Sequence, residues 1–250
     1  MKKLILPLIL AFSMPLWGQA GDPEVDSGGV AGAAVSISVL NPCGKNTTTP
    51  TTTPNWSASC NQNLTGGNKL FVACVSGSTG ASTISDSLGN FTGAAMTLDA
   101  LTNNLLHGLY TITTGGADTV TITTTSSNAP VCFSLEIQGL PNGVVDQTGT
   151  AANQASSTTW TLPSITTLVA NEIVIGWGGQ NSTNNTFTQG TGYTIPPGTC
   201  VSNAAGACGQ GSGGNQSGFI EYKIVSSTGS YAPTVTLTAM TGTANTVSYK

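Results

Sequence analysis

Charge is what this chain has least of. Only 16 of its 250 residues are Asp, Glu, Lys or Arg; arginine is absent and histidine occurs once. Each absence removes chemistry. Without arginine there is no planar fork for a phosphate or carboxylate, and His107 alone cannot assemble a histidine metal site. There is no Gly-x-Ser-x-Gly nucleophile motif and no Cys-x-x-Cys pair. After Ala20 no apolar stretch is long enough for a bilayer, and none keeps a 3.6-residue period for three turns.

What is present begins with an address. Lys2 and Lys3 precede an apolar run from Leu4 to Trp17, and Gly18 and Ala20 supply small residues ahead of a cleavage point. This reads as a signal peptide over residues 1–20, followed by a flexible segment over 21–31. The alternative, a retained anchor, needs about 20 apolar residues, and this run is interrupted by Pro7 and Pro15. The expected location is extracellular or periplasmic, with no membrane span after cleavage. Four lysines then face ten acids, a balance that disfavours nucleic acid and anionic membrane as partners.

The exported part carries six cysteines: Cys43, Cys60, Cys74, Cys132, Cys200 and Cys208. In an oxidising compartment they read as three disulfides. Cys43–Cys60 and Cys200–Cys208 would clasp the local loops 43–60 and 200–208. Cys74 and Cys132 lie in strand-like runs and would join two strands.

The dominant period is two. Thr119-Val120-Thr121-Ile122-Thr123 and Thr234-Val235-Thr236-Leu237-Thr238 alternate hydroxyl and aliphatic side chains, one face for a core and one for water. Further runs at 33–40, 69–76, 95–98, 108–113, 131–138, 172–178 and 219–225 are punctuated by Gly, Asn, Ser and Asp. The expected fold is all-β: a single antiparallel two-sheet β-sandwich of jelly-roll type over residues 32–250. A weak internal repeat points the same way. Asn68-Lys69-Leu70-Phe71-Val72 recurs as Asn171-Glu172-Ile173-Val174-Ile175, and the Thr/Val strands and the residues Ala129 and Ala244 follow in the same order. Two such pseudo-repeats would direct Val120, Ile122, Val235 and Leu237 into one shared core.

The order of an aliphatic strand, Asp86-Ser87-Leu88-Gly89-Asn90-Phe91-Thr92, a Thr-rich strand, Leu135-Glu136-Ile137-Gln138-Gly139-Leu140, Gly190-Thr191-Gly192-Tyr193-Thr194 and Glu221-Tyr222-Lys223-Ile224-Val225 resembles secreted bacterial jelly-roll-like β-sandwich proteins of uncharacterised function. The resemblance covers roughly residues 30–250. It implies a fold and carries no catalytic residue with it.

Three surfaces remain as candidates. Trp56, Trp160 and Tyr193 are aromatic rings amid hydroxyls and amides, suited to stacking on a sugar face. Asp86 and Asn90 flank Gly89 and offer oxygens for Ca²⁺, although such residues also serve tight turns through their own backbone. Glu136 and Glu221 would be the acid and nucleophile of a glycosidase if they shared a cleft. No cofactor is expected. The inventory favours contact over turnover: a secreted, non-enzymatic structural or adhesive protein, self-assembling or binding glycan. The alternatives are a carbohydrate-binding module using the exposed tryptophans and, after it, a glycan hydrolase using the two glutamates.

Overall fold

The computed structural model describes residues 36–46, 55–76, 82–99, 104–125, 130–140, 142–180, 185–199 and 217–250. Among these residues there are strands and no helix, and every strand pair is antiparallel, as the period-two pattern requires. The signal segment, Cys200, Cys208 and Ala129 lie outside the described residues.

An outer sheet has the order β2 (Asn55–Leu64), β8 (Gly116–Thr125), β4 (Ser82–Asp86), β5 (Ala94–Ala95). A middle sheet runs β1 (Ser38–Asn46), β9 (Val131–Gln138), β3 (Lys69–Ser76), β7 (Asn104–Thr111), β6 (Thr97–Asp99). The C-terminal sheet runs β10 (Val145–Thr148), β17 (Thr234–Tyr249), β13 (Glu172–Gln180), β15 (Ser217–Val225), and β11 (Ala152–Thr161) and β14 (Phe187–Gln189) also pair with β17. A small ribbon joins β12 (Ile165–Thr166) to β16 (Ser230–Tyr231).

The sandwich class is as expected, but the layers number more than two. Alternation on β8 sends Val120 and Ile122 inward, where they meet Leu70, Val72 and Cys74 from one face of the middle sheet. Phe71, Phe133 and Leu135 leave the opposite face of that sheet and meet Ile173, Ile175, Trp177 and Tyr249 of the C-terminal sheet. The middle sheet is therefore buried on both faces, which is why β3 and β9 read as nearly unbroken apolar runs. Val235 and Leu237 enter a third core with Trp160, Phe187 and Phe219. The single core expected for Val120, Ile122, Val235 and Leu237 is thus two separate cores.

β17 serves two layers. Residues 243–249 pair with β13, whereas 234–244 pair with β11. Near the changeover a Cβ on Gly242 would stand 2.4 Å from the Trp160 ring and 2.5 Å from the Gly179 carbonyl, so only glycine lets the backbones approach there.

Strand order recurs between the halves: β1-β9-β3-β7 is matched by β10-β17-β13-β15, and β2-β8-β4 by β11-β17-β14. The sequence motif does not keep its register. Leu70 and Ile173 occupy the same slot of that motif yet enter different cores, since a shift of one residue turns a strand over.

Candidate functional site

Glu136 and Glu221 do not form a catalytic pair. On β9, Glu136 shares a face with Cys132 and looks toward the outer sheet. On β15, Glu221 shares a face with Phe219, while Ile220 points into the central core. The two carboxyls therefore sit on opposite sides of that core, and both are fully buried.

Their environments differ. Glu136 accepts hydrogen bonds from Asn41 Nδ2 at 2.6 Å, Asn68 Nδ2 at 2.5 Å and the Thr65 N–H at 3.0 Å. Gln62 joins the same polar seam, accepting from Ser134 Oγ at 2.9 Å and donating to the Asn41 carbonyl. This is a carboxylate locked into the packing between two sheets. Glu221 has one donor, the Gly190 N–H at 3.1 Å, and its second oxygen is unpaired. Burial pushes it up from the ordinary 4.5 to about 8, the Gly190 bond offsetting only part.

Two of the three aromatic candidates, Trp160 and Tyr193, are interior. Trp160 is 1% exposed and donates from Nε1 to the Met240 carbonyl at 3.3 Å. Tyr193 is 8% exposed, with Lys223 Nζ 5.7 Å from its ring centroid. Neither ring presents a face to a sugar, because each completes a core that strands distant in sequence enclose. Trp56 lies in β2, paired to Thr124, rather than in a free loop; its side chain is outside the described residues. His107 is buried between sheets, 2.7 Å from Asp99 Oδ2 and 5.1 Å from the Trp177 ring.

Asp86 and Asn90 spend their oxygens on a turn. Asp86 accepts from the Phe91 N–H at 2.9 Å and Asn90 Nδ2 at 2.7 Å, while Asn90 Oδ1 accepts from Thr113 and Thr114. Burial opposes the Asp86 charge, but the Phe91 N–H, the Asp118 side chain and Asn90 together outweigh it and hold the carboxyl below its usual range. Two disulfides are formed as the spacing suggested. Cys43–Cys60 ties β1 to β2, and Cys74–Cys132 joins directly paired residues of β3 and β9. The loop expected over 43–60 is in part strand, since both of its cysteines stand in paired strands.

The water-facing halves of the Thr/Val strands are ordered surfaces. On the outer sheet, hydroxyls line up across strands: Ser57 Oγ to Thr123 Oγ1 at 3.3 Å, Ser59 Oγ to Thr121 Oγ1 at 2.9 Å, and Thr119 Oγ1 donating to Asn61 at 3.0 Å. Thr83 and Ser85 on β4 extend the array opposite Thr123 and Thr121. A shallow groove at its end is lined by Asn61, Gln62, Asn63, Ala117, Asp118 and Thr119. A similar array stands on the far layer, where Thr159 and Thr188 both pair with Thr236, and Thr161 pairs with Thr234. No charged side chain belongs to either array. The signal was in the sequence as the hydroxyl half of each Thr/Val alternation.

No protein-family model matches this chain, and no curated protein is similar to it. Its chemistry must be read from its own surface.

Proposed function

We propose that the protein is an extracellular structural or adhesive β-sandwich that works by contact through its two hydroxyl-bearing sheet faces. The observation that carries this reading is the cross-strand ladder on β2, β8 and β4: hydroxyls held in fixed rows by one another, without charge. One exposed hydrogen bond adds little net affinity in water. Rows of them, already ordered, lose little entropy on binding and act together against a repeating partner. A neutral polysaccharide and a second copy of the same face both offer such a repeat.

Two points support the setting. The chain contains two disulfides among the described residues, a feature of oxidising compartments. No helix among those residues is long and apolar enough to cross a membrane. Sugar stacking on Trp160 or Tyr193 is not favoured, since both are buried.

The test is co-sedimentation of the full chain with insoluble neutral polysaccharides, alongside sedimentation velocity over a range of protein concentration. Binding or assembly without release of soluble sugar is the expected result. Release of sugar would replace this reading with an enzymatic one.

A further inference from the structure

Near one end of the C-terminal sheet three side chains meet that the sequence keeps far apart. Asp146 on β10 and Lys250, just past β17, are brought together by the ladder: Val145 pairs with Tyr249, and Val144 and Lys250 exchange backbone hydrogen bonds of 3.0 and 3.3 Å. This seats Lys250 Nζ 2.7 Å from Asp146 Oδ1. The Asp146 side chain is 0% exposed and that of Lys250 39%. The other oxygen, Oδ2, accepts the Leu168 N–H at 2.8 Å.

The third member is Glu172, the first residue of β13 and fully buried. Neither of its oxygens has a donor in hydrogen-bonding geometry. The groups that act on it are the Ser248 hydroxyl, the Val169 backbone and the Asp146 carboxyl. An ion pair needs no such neighbour. Ile173 pairs with Tyr249 and Val174 with Ser248, so Glu172 lies on the strand face of Ser248 and Lys250, and a second buried carboxyl so near Asp146 disfavours a second negative charge. Burial and the Asp146 charge push Glu172 upward, whereas Lys250 and Leu168 hold Asp146 below the ordinary carboxylate range against its own burial.

We propose that Lys250 and Asp146 condense into an intramolecular amide, with Glu172 as the proton relay. Nζ attacks Cγ of Asp146; the Nζ–Cγ bond forms and one Cγ–O bond breaks. The ammonium gives up two protons, which leave with that oxygen as one water, and Glu172 ends as it began. No oxidant or reductant is involved. Within the ion pair one proton passes from the ammonium to Asp146 and frees the amine; protonated Glu172 gives its proton to the departing oxygen and, now a carboxylate, takes the second proton from Nζ. Condensation in dilute water is unfavourable, but held reactants reach effective concentrations on the order of 10⁵–10⁸ M. Asp146 is also shielded from the water that would reverse the step.

The full chain, reduced to open its disulfides, should weigh one water less than its sequence. A digest should yield a branched peptide joining residues 146 and 250. Lys250→Arg keeps the positive charge and Glu172→Ala keeps both reactants; each should restore full mass and abolish the branched peptide. Asp146→Asn should still condense, losing ammonia in place of water. Folded wild-type chain at full mass without the branched peptide would overturn the proposal, as would a dehydration that persists in Lys250→Arg.

Discussion

Glu221 shows how a buried acid shapes the response of this protein to pH. Its folded value stands at about 8 against an ordinary 4.5, so below that ordinary value both states are protonated and it imposes no penalty. As pH rises through the window between the two, the unfolded chain ionises first and stability is lost, until the folded carboxyl ionises too. Thermal melts should therefore show lower stability near pH 8 than near pH 5, and Glu221→Gln should flatten that slope. An unchanged slope would place the dependence elsewhere. Glu136 has a structural role, with three donors converging on its carboxyl. Glu136→Gln turns one acceptor into a donor facing Asn68 or Asn41, and should cost about 1–3 kcal/mol in denaturant unfolding. These roles were not legible in the sequence, where both residues are lone acids in strands. Their partners come from Asn41, Thr65, Asn68 and Gly190, which only the fold brings near. Trp160 misled for the same reason. On β11 it is a buried residue in an otherwise polar strand, and its core is supplied by Val235 and Met240 from β17.

At the scale of elements, the alternation on β8 assigns opposite consequences to neighbours. Ile122 is 1% exposed between two sheets, so Ile122→Ala should destabilise by about 2–5 kcal/mol. Thr121→Ala, one residue earlier and facing outward, should stay within about 0.5 kcal/mol. Equal effects would mean that the register is wrong. Strands with apolar alternation or apolar runs were legible: β3 and β9 match their sequence-read limits, and β13 and β15 extend theirs by two residues at one end. β2 and β11 were not, because Asn-Trp-Ser-Ala-Ser-Cys-Asn-Gln-Asn and Ala-Asn-Gln-Ala-Ser-Ser-Thr-Thr are polar stretches that become strands by pairing with β8 and β17.

For the whole molecule, the central core is the joint between the two halves of the strand order. Trp177 lies fully buried there, 5.8 Å from Phe71 across the sheets. Trp177→Ala should cost about 3–5 kcal/mol and broaden unfolding by weakening the coupling of the halves. The low charge was legible from composition, and so was its consequence that contacts outside need little electrostatic steering. The alternation already assigned the hydroxyl halves of β8 and β17 to water; the fold added the strands that extend those faces into the proposed contact surfaces. The most direct measurement is binding and self-association of the full chain at low and high salt, wild type against Thr121→Lys with Thr123→Lys on the outer face and Thr236→Lys with Thr238→Lys on the far layer. The account predicts wild-type contact nearly independent of salt, lost when both faces carry lysines while the melting temperature holds within a few degrees. Lysine variants that associate and bind as the wild type does would contradict it.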